Sequence, residues 1–498
     1  MTRFKKIQNL LGKWFSLPWY PVLFGAYPVL ALMAVNVGQI KVEAGWRALL
    51  VSLLFAGILF IALRLILRDW NRAAFLSTLW MALFFSYGHV YITLAEKVKD
   101  FDYEKWLLIV WLALAVLFVI WAVRKSPASP LALNVIVLGL VVSSLWQISP
   151  TVQKGSAHRV GAENAPVDEN LARPENPPDV YYFILDSYAR EDLLKKAYGY
   201  DNSVFLEGLR ERGFYVAQCS QANYVRTELS VGSSLNMSYL QDLDPAFTPE
   251  SIKRRVLWDS YQHSAVRYNF ESLGYTTIAF VTGFAWNELD DADVFYTPPP
   301  FSAGMTEFET LFLDTTLARY AEDAGWINTD EIMGQNFRDR TMLVFDSMDD
   351  IARMPEPTFA YIHVISPHPP FVFGPNGEYT NPADLYATGY QNQLTFLNQK
   401  MLDAIDTLLS ESKTPPIIIL QGDHGPWLQP RDRRMWILNA YYLPEHQDKL
   451  FSKISPVNTF RYIFNAYFGG NYDMLPNVSY FSPVPKLYEF SEVKNNCK

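Results

Sequence analysis

Five apolar stretches crowd the first third of this chain, near residues 20–39, 46–67, 73–95, 105–123 and 130–148. Each is close to the roughly 20 residues a helix needs to cross a hydrocarbon core. Five such runs in succession, with Trp and Tyr near their ends, do not suit a soluble bundle, so residues 1–150 are expected to form a bundle of five membrane-spanning helices. The basic residues orient it. Arg3, Lys5, Lys6 and Lys13, then Arg68 and Arg72, then Arg124 and Lys125 all fall on one side, which is therefore expected to face the cytoplasm. The opposite connections hold Lys41, Arg47, Lys97, Lys99 and Lys105, diluted by Glu43, Glu96, Asp100, Asp102 and Glu104. An odd number of crossings puts everything after residue 150 outside the cytoplasm. The first run is longer than a signal-peptide core and no small-residue cleavage site closes it, so it reads as a retained anchor.

Residues 151–178 carry Pro, Glu, Asn, Ala and Lys without apolar periodicity and read as a tether, because they cannot bury enough surface to fold alone. From 179 to 498, β-like runs alternate with helical patterns, the signature of an α/β unit with a mainly parallel sheet covered on both faces. Strands are expected at 180–186, 276–281, 358–365, 416–420 and 435–443, and helices at 203–211, from Thr227 onward, and at 253–272, 309–322, 334–352, up to about 410 and 459–468. The Pro-rich YTPPPF at 296–301 marks an insertion near the site. A net charge of −9 leaves no basic footprint for nucleic acid. Cys219 and Cys497 make no disulfide framework or zinc module, and the sequence leaves open whether they pair.

Chemistry concentrates at strand ends. QGDHGPW, residues 421–427, follows an apolar run directly, so Asp423 and His424 are delivered at the carboxyl end of a buried strand, where open α/β sheets keep their ligands. Asp186 ends the first strand and projects from the same edge, which permits one metal ion. Thr227 opens a helix, where free N–H groups and the helix dipole favour a phosphate. Its hydroxyl is a poor nucleophile until a cation lowers its pKa. Ser230, Ser233 and Ser234 compete for that role but lie deeper in the helix. His368 sits in a loop flanked by prolines, and Arg190, Arg226 and Asn223 are available either to phosphate or to the surface. There is no Gly-rich phosphate loop of the Walker or dinucleotide type.

Taken in order, LDSYARED (185–192), NYVRTELSVGSSLNM (223–237), YIHVISPHPPF (361–371) and QGDHG (421–425) resemble the sulfatase-like branch of the alkaline phosphatase superfamily. The resemblance is strongest to the membrane-anchored lipoteichoic-acid synthases and phosphoethanolamine transferases, which share the order of membrane helices, linker and extracytoplasmic catalytic domain. It implies an alkaline phosphatase-like α/β sandwich and one divalent ion (Mn, Zn or Mg) held by Asp186, Thr227, Asp423 and His424. It further implies Thr227 as the transiently phosphorylated nucleophile and His368 as the group that binds phosphate or protonates the leaving oxygen, with Arg226 a candidate phosphate contact. His363 aligns with a second substrate-binding histidine, although its mid-strand position suits a core histidine equally. The implied partners are a membrane phospholipid donor and a glycan or lipid acceptor, at a multi-pass position in the bacterial cytoplasmic membrane. Departures narrow this. Cys219 lacks the x-Pro-x-Arg context of a sulfatase, the second metal's ligands are missing, and so is the disulfide-rich domain common in phosphoethanolamine transferases, which shifts weight toward other head groups. The expectation is metal-dependent transfer of a phosphoglycerol- or phosphoethanolamine-type head group. With water as acceptor the same site gives a phosphodiesterase or phosphatase; with catalysis lost, a lipid-sensing regulator.

Overall fold

The computed structural model describes residues 17–36, 42–97, 103–125, 129–161, 167–251, 254–298, 305–326, 328–355, 357–380, 386–484 and 486–497. They divide into two compact units, one of Met1–Val160 with Met305–Thr329, the other of Gly161–Gly304 with Asp330–Lys498.

In the first unit the helices are α1 (Tyr20–Val35), α2 (Trp46–Leu67), α3 (Trp70–Lys97), α4 (Tyr103–Arg124) and α5 (Pro130–Gly161). Four of them, α2 to α5, are long and apolar enough to cross a membrane, whereas α1 is an apolar helix of 16 residues. The segment expected at 20–39 is thus the short one, and α5 runs on past its expected end near 148. Outward residues such as Ile58, Leu112, Val116 and Ile136 are exposed, which suits lipid rather than water. Asn134 is satisfied inside: its carboxamide oxygen accepts from Tyr20 N at 2.9 Å and its nitrogen donates to Leu17 O at 2.7 Å, pinning the start of α1 to α5.

Residues 305–326 belong to this unit although they lie between two strands of the other. Helix Glu307–Asp314 begins with a capping box between Thr306 and Glu309 and buries Phe308 and Phe312, the latter 5.7 Å from the Phe85 ring. Glu309 also takes the guanidinium of Arg47, Nε to Oε1 at 2.7 Å. Gly88 N donates to Thr315 O at 3.1 Å, an approach only glycine permits, since a Cβ there would sit 1.9 Å from Asp314 O. The expected helix at 309–322 is two pieces, Glu307–Asp314 and Arg319–Asp323. Of the YTPPPF insertion, residues 299–301 lie outside the described residues.

The second unit is an α/β sandwich. Its strands are β1 (Val180–Leu185), β2 (Tyr215–Val216), β3 (Thr276–Phe280), β4 (Val294–Tyr296), β5 (Thr358–Val364), β6 (Ile417–Gly422) and β7 (Asn439–Tyr442), in the order β2-β7-β6-β1-β5-β3-β4. From β6 to β4 all neighbours are parallel, and β7 and β2 add an antiparallel edge. The central strands β1, β5 and β6 are apolar almost throughout and buried at every position, as strands covered on both faces must be. Tyr181, Phe183 and Leu185 serve one core, and Val180, Tyr182 and Ile184 the other. A separate hairpin, β8 (Ser479–Phe481) with β9 (Ser491–Val493), lies near the C-terminus.

The helices used below are α6 (Thr227–Leu235), α7 (Arg255–Gln262), α8 (Ala265–Ser272) and α9 (Tyr386–Glu411). The single helix expected over 253–272 is broken into α7 and α8 because the Ser264 hydroxyl accepts from Arg267 N and starts a new helix. Strand β4, three residues long, and the β8–β9 hairpin escape a periodicity reading. Cys219 and Cys497 are joined by a disulfide with Cα atoms 5.5 Å apart.

Candidate active site

Parallel register builds the site. Leu185 of β1 pairs with Gly422 of β6, so the next residues, Asp186 and Asp423, leave adjacent strands side by side. His363 enters from the other neighbour, opposite Ile184. The turn after β1 is tight: Ser187 adopts a left-handed φ of 64°, uncommon for a residue with a side chain and frequent at functional turns. That conformation points Ser187 N at Asp423 Oδ1 (2.9 Å) and Ser187 Oγ at Asp186 Oδ1 (3.1 Å). Asp423 Oδ1 also accepts from His424 N at 2.8 Å. Its Oδ2 is fully buried and has no hydrogen-bond partner among the described residues, an orphan that a cation would satisfy.

Hydrogen bonds assign the imidazoles. His424 Nδ1 lies 2.9 Å from Gly425 O, an acceptor only, so Nδ1 carries the proton and the Nε2 lone pair is free. That lone pair lies 3.3 Å from Thr227 Oγ1, 3.5 Å from Asp423 Oδ2 and 3.9 Å from Asp186 Oδ1. Ligand atoms of Asp186, His363 and Asp423 also fall within 4.8 Å of one another. His363 plays a different part, however. The Asn287 carboxamide oxygen accepts from the Thr282 hydroxyl (2.5 Å), so its nitrogen donates to His363 Nδ1 (3.2 Å), which leaves the proton on Nε2, facing Asp186 Oδ2 at 3.5 Å. His363 thereby turns toward Asp186 an N–H that has no hydrogen-bond partner among the described residues, and the atoms with free electron pairs are those of Asp186, Asp423, His424 and Thr227. Two carboxylates, one imidazole nitrogen and a hydroxyl are a donor set that suits a divalent ion such as zinc, manganese or magnesium.

Burial alone would raise the Asp186 carboxyl, yet the imidazoles of His368, His363 and His424 around it hold it below the usual carboxylate range. His368 comes from the loop after β5, its backbone N bonded to Asp186 O at 3.1 Å. Its Nδ1 donates to Pro369 O at 2.6 Å and Gln393 Nε2 donates to its carbonyl at 3.0 Å, so the ring is fixed with Nε2 free.

Thr227 is half-buried at the first position of α6, where the opening N–H groups have no intrahelical acceptor. Ser230, Ser233 and Ser234 lie buried behind it. Of the other polar candidates, Arg190 is committed to Asp192, to Ser220 O and to the face of Trp436, and Asn223 to the backbone of Val457 and Val478, so neither reaches the cluster. Arg226, just before Thr227, keeps a buried Nε without a partner among the described residues.

Sequence reasoning missed Arg434. The loop between β6 and β7 folds back so that Gly425 N donates to Arg434 O at 2.6 Å, and Arg434 Nη2 donates to Val225 O at 3.2 Å. Its guanidinium lies 3.8 Å above the Trp427 ring. Burial, with the like charge of Arg226, pulls it from 12.5 down to about 10. Ser187 and Asn287 were missed as well; only Ser187, next to a strand-ending aspartate, carried a signal in the sequence.

No family model matches the sequence, and no curated protein does. Among solved structures the chain is similar to the zinc complex of the C-terminal periplasmic domain of EcEptC from Escherichia coli, at TM-score 0.41 and 12% identity over 63% of this chain and 93% of that one. It is similar to the integral membrane lipooligosaccharide phosphoethanolamine transferase A from Neisseria meningitidis, at TM-score 0.37 and 12% identity over 89% and 92%. A third likeness is to the lipoteichoic acid synthase LtaP from Listeria monocytogenes, at TM-score 0.38 and 12% identity over 60% and 74%. At these scores and identities, function has to be read from the side chains themselves.

Proposed function

We propose that this protein is a membrane-integral phosphotransferase that moves a phosphoryl-linked head group from a membrane phospholipid to a glycan or lipid acceptor through Thr227. The observation that carries the reading is convergence: Thr227 Oγ1 lies 3.3 Å from a histidine nitrogen with a free lone pair, and that nitrogen lies within 4 Å of two buried carboxylates. Asp186, Asp423, His424 and Thr227 would hold one divalent ion, which when bound supplies the positive charge that acidifies the threonine hydroxyl and offsets charge on the phosphoryl oxygens. Thr227 Oγ1 attacks phosphorus from the N-terminus of α6, whose dipole favours the anion. As Thr227 attacks, its hydroxyl proton passes to solvent, and His368, protonated at Nε2 for this step, gives that proton to the leaving diacylglycerol oxygen. In the second step the neutral His368 removes the proton of the acceptor hydroxyl, which displaces Thr227 from phosphorus, and the Thr227 oxygen takes a proton back from solvent. Ser187 holds both Asp423 and Asp186 in place through its backbone N and its hydroxyl.

The extracytoplasmic side is proposed for the α/β unit on two grounds, the basic bias of the connections and the Cys219–Cys497 disulfide, a bond that persists in oxidising compartments. Incubating the purified full chain with head-group-labelled phospholipid and a defined acceptor tests the reading. Label should move to the acceptor in a metal-dependent way; label released only to water would assign a hydrolase, and label left on the lipid would remove the proposal.

A further inference from the structure

Two arginines converge on the residues just ahead of Thr227: Arg226 precedes it in the chain, and Arg434 Nη2 donates to the carbonyl of Val225 at 3.2 Å. Arg434 is 7% exposed, and its Nε, like that of Arg226, is buried with no hydrogen-bond partner among the described residues. The carboxylate that reaches Arg226 is Glu228, and it is already held by Arg254 at 3.3 Å and by the Trp258 indole at 3.3 Å. Arg434 cannot swing away, because its backbone oxygen is bonded to Gly425, its Nη2 to Val225 O, and its plane rests on Trp427. These contacts join the loop of Asp423 and His424 to the residues just ahead of Thr227. Two like charges held together in a half-buried place are unfavourable unless an anion completes the site. Guanidinium groups with unsatisfied donors fit the oxygens of a phosphate ester.

We infer that Arg434 and Arg226 form an anion clamp that seats the phosphoryl group of the donor at Thr227, and that the clamp selects a donor whose head group carries no cation. This rests on the function proposed above. An ammonium ion one ethylene unit from the phosphorus would approach two fixed guanidiniums, while the carboxylates at hand, Asp186, Asp423 and Glu228, are engaged by the imidazoles, a bound cation or Arg254. A neutral polyol head group meets no such penalty, and its hydroxyls can accept from the same donors.

The experiment compares the full chain with Arg434→Gln, Arg226→Gln and Arg434→Lys. It measures turnover on vesicles of a neutral carrier containing either an anionic phosphoglycerol lipid or a zwitterionic phosphoethanolamine lipid, and calorimetric affinity for inorganic phosphate. The wild type is expected to prefer the anionic lipid by tenfold or more on kcat/KM. Arg434→Gln should lose about 10- to 100-fold on it, mostly in KM, and weaken phosphate binding in parallel. Arg434→Lys should recover only part of the loss, because a point charge cannot replace the fork. Near-ultraviolet circular dichroism checks that the variants fold. The inference is overturned if Arg434→Gln leaves phosphate affinity and the lipid ratio unchanged, or if the zwitterionic lipid is preferred by the wild type. If neither lipid turns over while phosphate binding still falls in the variants, the clamp stands and the transferase reading fails.

Discussion

Asp423 offers a substitution pair that separates holding the fold from holding a cation. Its Oδ1 accepts from two buried backbone donors, Ser187 N at 2.9 Å and His424 N at 2.8 Å, while its Oδ2 has no hydrogen-bond partner among the described residues. Asp423→Asn keeps a carbonyl oxygen for both N–H groups and replaces only the orphan atom. With divalent ions chelated, its stability should stay within about 1 kcal/mol of wild type. Asp423→Ala strands both donors in a fully buried place, at about 1–3 kcal/mol each, so a loss of roughly 2–6 kcal/mol is expected. Metal binding should respond differently. The asparagine removes one of two negative charges and turns an N–H toward His424 Nε2, so both variants should lose divalent-ion affinity by well over tenfold. Urea unfolding followed by tryptophan fluorescence, with and without metal, reads both quantities. An asparagine variant as unstable as the alanine variant, or one that binds metal like wild type, would refute this account of the two oxygens.

Other consequences can be checked separately. His263 lies 3.6 Å from Asp291, which raises its pKa, so the fold favours the protonated ring. That stability is fully present below the unfolded value near ~6.5 and is lost as pH rises through the raised folded value. His263→Gln should flatten the pH dependence of unfolding above about pH 6.5; an unchanged slope rules out the pairing. Gly88→Ala places a Cβ 1.9 Å from Asp314 O, and overpacking of that kind costs roughly 1–3 kcal/mol, so protease cleavage within 305–326 should accelerate while the other unit stays intact. Equal cleavage in wild type and variant counts against that contact.

The central sheet was legible because β1, β5 and β6 are apolar at nearly every position and too short for helices, and their polar residues come at the ends or just beyond them. A parallel arrangement then brings Asp186 beside Asp423 without further information. The rest depends on tertiary contacts that periodicity does not carry. Arg434 reads in sequence as one more charge in RDRRMW, and only the folding back of the loop onto Gly425 sends its guanidinium toward Val225. A helix expected near 309–322 does not say that Phe312 packs on Phe85, more than 200 residues earlier in the chain. His363 looked like a substrate contact or a core histidine, and the Asn287 carboxamide, 76 residues away in sequence, decides its tautomer. A separation of 278 residues gave no means of pairing Cys219 with Cys497.

Acid-quenched mass spectrometry of the full chain after exposure to phospholipid, one divalent metal at a time, tests the nucleophile directly. The peptide containing Thr227 should gain the mass of a phosphoryl-linked head group, and Thr227→Ala should show neither the adduct nor turnover. Full turnover in Thr227→Ala, or an adduct on a different residue in the wild type, would contradict the assignment of Thr227.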